Sequence, residues 1–365
     1  MKKTLYEKRE IIKFGIWNLE FGAPQDNTPL PIDMDAYWAS SNNKIELESF
    51  FIDWMTHCAT RLPASMQMYL GGGHKTEPSK CITLSNGQVH EDIMLKSNIE
   101  EADDRILFHV SHIVSFSKAK RVVICSTDTD VFVNSLYHYQ NTWHQNGLEE
   151  LWISFGVGKS ERYIPVHCLA NDNILTDTIV STLPALHCLT GCDTTSKIST
   201  KTMALKVAQS VANVYLMEFG KQPLTEDMER NAEIFLVRSL GANFLTMDEL
   251  RFHQFHHKKI KSFQDLVPTS ATVRLHIKRS YLQCYRWINA LKVVQELDPL
   301  DYGYTECEGL LIPQIVNNTA EPQNFPKPCS CQKCFREKIC ACRVLKIPCC
   351  SFCKCSSDGS CNNIY

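Results

Sequence analysis

No stretch of this 365-residue chain approaches the roughly 18 uninterrupted apolar residues that a membrane-spanning helix needs. The opening MKKTLYEKREIIKFGIW mixes Glu with Lys and lacks an apolar core, so it does not read as a secretory signal. There is no internal repeat of roughly 20 to 50 residues. A complete phosphate loop is also missing. Gly158-Lys159-Ser160 ends like one, but Ile153 stands where the earlier glycine is required, and the segment reads as a turn. There is no clear basic import run. These absences point to a soluble, non-secreted, intracellular protein without a membrane partner.

What is present begins with a 44% hydrophobic share, enough for a real core in one large domain or two smaller ones. Eighteen cysteines would suggest a disulfide scaffold if they were spread over a small secreted domain, but ten of them lie between Cys329 and Cys361. The other eight are scattered and read as small core or surface residues. Charge divides the chain at the same place: residues 327–365 carry +5 and the remainder −7. A basic tail on an acidic body predicts an anionic partner for the tail, with nucleic acid, DNA first, as the candidate. The polar, Pro-rich segment NNTAEPQNFPKP, 317–328, reads as the linker.

Within the tail, Cys329, Cys331, Cys334, Cys340, Cys342, Cys349, Cys350, Cys353, Cys355 and Cys361 are too dense, and the apolar residues between them too few, for a packed core. Metal must supply the folding energy. Soft thiolates and tetrahedral geometry select Zn2+, and ten ligands exceed one four-ligand site; Cys-x-Cys pairs suit bridging sulfurs. The segment resembles half of a tesmin-type CXC module, with Cys329/Cys331, Cys340/Cys342, Cys349, Cys353 and Cys355 on that pattern. Ile339 stands where the family has Tyr, and Cys350 is an extra. The alternative is an oxidised or metal-buffering tail of metallothionein type.

In the body, strand and helix signals alternate from about Pro63 to Tyr215. Met66–Leu70, Arg121–Cys125, Leu151–Phe155 and Tyr163–Val166 read as strands, with Glu100–Phe116 and Asp130–Tyr139 as helices. Farther on, Ala271–Leu291 reads as a long amphipathic helix. Such alternation predicts an α/β fold, a parallel sheet with helices on both faces, whose site lies beyond the carboxyl ends of its strands. Acidic residues gather there: Asp128 and Asp130 directly after the RVVIC strand, Glu100, Glu101, Asp103 and Asp104 in the first turn of a helix, and Asp193 after LPALHCLTGCD, where Gly191 permits a sharp turn. Hard carboxylate oxygens select Mg2+ or Mn2+. Taken singly, the alternatives are a helix cap at Asp130, a turn at Asp193, and a dipole-complementing run over Glu100–Asp104.

Glu101-Ala-Asp103, Thr127-Asp128-Thr129-Asp130 and Leu189-Thr-Gly-Cys-Asp193 resemble, in order, the three downstream acidic motifs of PIN-like nucleases of the flap endonuclease group. EEADDRILFH, STDTDVFV, LPALHCLTGCDTTSKI and VPTSATVRLHIKRSYLQCYRW are similar to a set of uncharacterised animal proteins, linked to mobile elements, that join this core to a Cys-rich tail. The resemblance implies a three-layer PIN-like fold and two metal ions about 4 Å apart hydrolysing a phosphodiester. It makes Asp128, Asp130 and Asp193 direct ligands, with Glu101 and Asp103 ligating directly or through water. The expected organisation is an N-terminal segment 1–60, truncated relative to its relatives because it holds no apolar strand ending in Asp, a PIN-like core 61–215, a helical extension 216–316, the linker, and a zinc module 329–361. The expected function is a metal-dependent nuclease of DNA or RNA, active or degenerate. The alternative is a non-enzymatic, zinc-dependent DNA-binding or scaffold protein. Nuclear location is expected from the partner alone, and no protein partner can be read.

The basic stretch with His253, His256 and His257 is expected to be a solvated helix face. Cys188, Cys192 and His187 sit among leucines and are expected to be ordinarily buried.

Overall fold

The computed structural model describes residues 32–99, 101–170, 175–257, 265–292, 294–316, 328–331, 340–349, 353–356 and 361–363. The linker up to residue 327 and Glu100, Cys334 and Cys350 lie outside the described residues, as do residues 258–261 of the basic stretch. The chain forms two units, residues up to Phe116 and residues from Ser117 onward.

In the first unit, helix α1 (Met34–Ala39) is capped by Asp33, whose Oδ1 accepts the Ala36 N–H at 2.9 Å. Helix α2 (Ser41–His57) follows with Ser40 as its cap. Strands β1 (Gln67–Gly71), β2 (Cys81–Ser85) and β3 (Gln88–Glu91) form an antiparallel meander. Asn86 and Gly87, at φ 50° and 72°, close β2 onto β3 with Ser85 opposite Gln88. Two left-handed residues in a two-residue loop match the twist of the strands, and Asn-Gly is the pair that adopts them most readily. Cys81 and Leu84 are fully buried in this sheet. Helix α3 (Ala102–Ser115) buries Leu107, Val110 and Val114, a helical stripe at i, i+3, i+7.

The second unit opens with β4 (Arg121–Cys125), whose Val122 and Ile124 are buried. It pairs in parallel with β5 (Glu150–Phe155), Arg121 opposite Glu150 and Cys125 opposite Ser154. Arg121 forks onto the Glu150 carboxylate at 2.6 and 2.8 Å. Helix α4 (Thr129–His138) and a π turn over Tyr139–Trp143, with Trp143 fully buried, make the crossover. Strand β6 (Arg162–Pro165) then returns antiparallel to β5. Gly156 and Gly158, at φ 92° and 61°, reverse the chain there. The GVGKSER segment is thus a turn, as the sequence predicts. The sheets are smaller than the alternation suggests. Among the described residues parallel pairing is confined to β4 and β5, because β6 hairpins back and β1–β3 pair only with one another.

Helices supply most of the second unit's core. After the short α5 (Val166–Leu169) come α6 (Asp177–Thr190), α7 (Lys201–Tyr215), α8 (Glu226–Ser239), α9 (Met247–His257) and α10 (Ser270–Ile288). The predicted amphipathic helix is α10, and its Ile277, Tyr281 and Trp287 are buried against α6 and α8 residues such as Leu189 and Phe235. Two buried histidines join it to the rest: His138 Nε2–H donates to Trp287 O at 2.9 Å, and His276 Nε2–H to Leu189 O at 2.8 Å. A hairpin of β7 (Tyr304–Cys307) and β8 (Leu310–Pro313) follows. No described helix is long and apolar enough to cross a membrane. The protein is therefore mixed α/β, with several helices, small sheets and a buried cysteine cluster near its C-terminus.

Candidate functional site

Among the described residues of the tail, regular structure is limited to the short helix α11 (Ala341–Val344), entered from Cys340, and a 3-10 turn over Lys354–Ser356. Cysteine takes the place of a core there. Cys329, Cys340, Cys342, Cys349, Cys353, Cys355 and Cys361 are all buried. Their sulfurs lie 3.5 Å apart for Cys329 and Cys355, 3.6 Å for Cys355 and Cys361, and 3.7 Å for both Cys340–Cys349 and Cys342–Cys353. Those separations are far beyond a covalent S–S bond. They match the spacing of about 3.8 Å between sulfurs tetrahedrally arranged around an ion at about 2.3 Å.

Three groupings place ligand sulfurs within 4.8 Å of one another: Cys329, Cys342, Cys349 and Cys353; Cys329, Cys331 and Cys355; Cys349, Cys355 and Cys361. Each pair of groupings shares one residue: Cys329, Cys349 or Cys355. A shared thiolate is what a bridging ligand requires. The backbone supports sulfur charge as well, since Cys329 N–H points at Cys353 Sγ (3.4 Å) and Asn363 N–H at Cys361 Sγ (3.4 Å). Burial, followed by the neighbouring thiols Cys331 and Cys355, pushes the Cys329 thiol well up; burial and then Cys353 do the same to Cys342. Packed thiolates repel in a low-dielectric site, so a cation is the partner that lets them ionise together. The donor set is all soft sulfur and fits zinc.

The tail does not stand apart from the body. Phe255 of α9 and Leu266 are buried in the same cluster as these cysteines, and His256 Nδ1 lies 3.1 Å from Pro348 O. This corrects the expectation of a solvated α9 face. His253 is exposed, but Gln254, Phe255 and His256 are buried, because the tail covers that side.

The acidic residues divide between the two units. Glu101 is exposed at the start of α3 and makes no side-chain cap there, and Asp103 is half-buried in the first turn; both belong to the first unit. Asp128, Asp130 and Asp193 belong to the second. The cap on α4 is Asp128: its Oδ1 accepts the Asp130 N–H at 2.7 Å. Thr129 is already helical, so Asp130 sits inside the first turn and its carboxylate is free of that duty. Instead, Asp130 Oδ1 lies 2.7 Å from His187 Nε2, and both side chains are buried.

That pair lines a cleft of about 390 Å³ that also receives Thr190, Gly191, Cys192 and Asp193 from the end of α6, Lys197 and Ser199 from the loop into α7, and Lys201 from the first turn of α7. Gly191, at φ 117°, makes the turn; a Cβ there would lie 2.6 Å from Lys197 Cα. Lys201 Nζ donates to His187 O at 2.7 Å and to Gly191 O, covering the carbonyl end of α6. The Cys192 thiol is pulled down to about 5, first by Cys188 and then by Thr194 and Thr195, against its burial. The cleft thus brings Asp130 and Asp193 together. Among the described residues, only cysteines bring three or more ligand atoms within 4.8 Å of one another.

Ser199 and Lys201 are cleft residues that sequence reasoning missed, and His187, expected to be ordinarily buried, is buried but paired with Asp130. His187 lies in the quoted LPALHCLTGCD motif, but its partner is 57 residues away and no local pattern announces it. Matched against family models, curated proteins and solved structures, the chain has no counterpart in any of the three comparisons.

Proposed function

We propose that this protein acts on nucleic acid, through a nuclease-type carboxylate cleft in a PIN-like body and a zinc-folded basic tail that holds the strand. The observation that carries it is that Asp130 and Asp193 line one cleft just beyond the carboxyl end of β4, where open α/β sheets bind their ligands. On this reading Asp128, Asp130 and Asp193 would hold Mg2+ or Mn2+, which would supply charge neutralisation at the phosphodiester and activation of water. His187 fixes the Asp130 carboxylate and Lys201 fixes the end of α6, so the acids are held in place before a cation arrives. Zinc in the tail supplies folding energy and crosslinks; Cys329, Cys349 and Cys355 would bridge a cluster of up to three ions. A nuclear role follows from the nucleic-acid partner.

A second reading is a non-enzymatic, zinc-dependent DNA-binding protein with a degenerate body. The commitments of Asp128 to the α4 cap and Asp130 to His187 favour it, since each leaves less of the carboxylate for a cation. Mn2+ titration of the zinc-loaded protein and of Asp130→Asn separates the two. Saturable binding that the substitution weakens supports the first; no Mn2+ binding, with DNA binding retained, supports the second.

A further inference from the structure

The cleft has a second wall that the carboxylates do not explain. Helix α7 begins there, with Thr200 as its cap: Thr200 Oγ1 accepts the Met203 N–H at 3.3 Å and Thr200 O the Ala204 N–H at 3.0 Å. The Lys201 and Thr202 N–H groups fall in the first turn, outside the i to i−4 ladder. The loop before it is fixed: Ile198 N–H donates to Thr190 O at 3.1 Å, and Thr195 Oγ1 donates to Cys188 O at 2.7 Å.

Ser199 sits between that loop and the helix. The residue lines the cleft, it is only 7% exposed, and its buried Oγ has no hydrogen-bond partner. An unpartnered buried hydroxyl is costly, so a position that keeps one beside a cleft suits a ligand that supplies the missing bond. Lys197 is exposed at the same wall, and Lys201 adds a second cation with its ammonium on the α6 carbonyls. A positive helix end, two lysines and an unpartnered hydroxyl describe a seat for an oxyanion. Asp130 and Asp193 in the same cleft oppose a bare anion, so a divalent cation held by them should strengthen its binding.

We infer that Lys197, Ser199 and the N-terminal amides of α7 bind a phosphate group, and that in the proposed nucleic-acid reaction this group is a phosphate of the strand. The identity of the strand rests on the proposed function; the phosphate seat does not.

The test is calorimetric titration of the zinc-loaded full chain with inorganic phosphate, with and without Mg2+, on wild type, Ser199→Ala and Lys197→Ala. Wild type should bind, more tightly with Mg2+. Either substitution should weaken binding by roughly tenfold. Ser199→Ala should leave the melting midpoint unchanged or higher, because its Oγ has no bond to lose, and the exposed Lys197 gives a variant whose fold is not in question. Phosphate affinity unchanged in both variants, or absent from wild type in Mg2+, overturns the inference. Mn2+ titration of the same samples separates the two ideas. Mn2+ binding without a Ser199 or Lys197 effect on phosphate leaves the nuclease reading standing and removes the seat. Phosphate binding that depends on them, without any Mn2+ binding, does the reverse.

Discussion

His187 Nε2 lies 2.7 Å from Asp130 Oδ1 across 57 residues of sequence, and both side chains are buried. The contact ties the last turn of α6 to the first turn of α4. It therefore holds together the two segments that bring Asp130 and Asp193 to one cleft. His187→Ala should cost about 2–4 kcal/mol, because it removes packing and leaves a buried carboxylate oxygen short of a donor. Asp130→Asn should cost less, since its amide oxygen can still accept from the imidazole. Urea denaturation of the two variants checks this. A His187→Ala variant as stable as wild type would mean the pair contributes nothing.

Gly191→Ala should be damaging for a different reason. The residue is at φ 117°, and its new Cβ would meet the Lys197 backbone at 2.6 Å. Strain of this kind costs about 1–3 kcal/mol, and relief requires the Lys197 loop to move. Thermal denaturation reads the loss, and a crystal structure of the variant should have the 192–200 loop displaced. An unshifted melting midpoint would rule this out.

Acid stability should depend on two histidines. Burial holds the His138 and His276 imidazoles down to about 4, from 6.5 in the unfolded chain. Both are buried as neutral rings donating to backbone carbonyls. Their contribution is complete above about pH 6.5 and is lost as pH falls toward 4, because the unfolded chain takes up the protons first. Each accounts for roughly 3 kcal/mol over that window. His276→Gln should flatten the fall between pH 6.5 and 4 relative to wild type in pH-dependent urea titrations. An equally steep fall in the variant would contradict this.

If the cysteine cluster holds metal, its removal should be felt in the body as well as in the tail. Phe255 and Leu266 share the cysteine cluster, so a strong chelator should expose them and raise amide exchange in α9. Cys329→Ser should release more metal than Cys331→Ser in native mass spectra, since Cys329 belongs to two groupings and Cys331 to one. Unchanged exchange in 247–257 after metal release would mean the tail only touches the body.

The local elements were largely legible in the sequence. RVVIC became β4, the Glu100–Phe116 pattern became α3, and the Ala271–Leu291 pattern became α10, because hydrophobic patterning is a short-range signal. The Asn86-Gly87 pair announces the β2–β3 hairpin just as directly. Long-range features were not legible. That β6 turns back antiparallel limits the parallel sheet to one pair, and alternation alone does not reveal it. The covering of Phe255 and His256 by the tail joins segments 92 residues apart at His256 and Pro348. Dense cysteines revealed the metal-type tail because ligand spacing is itself a local pattern. The pairing of Asp130 with His187 instead depends on how α4 and α6 pack.

The most direct measurement is Mn2+-dependent cleavage of a mixed panel of labelled single-stranded, flap and duplex DNA and RNA, by the zinc-loaded protein and by an Asp128→Ala, Asp130→Ala double variant checked for retained fold. Wild type should cleave, the variant should not, and nucleic-acid binding through the tail should be preserved in both. Equal cleavage by the two proteins, or none by either while zinc-dependent binding persists, would contradict the nuclease cleft and leave the tail as the working part.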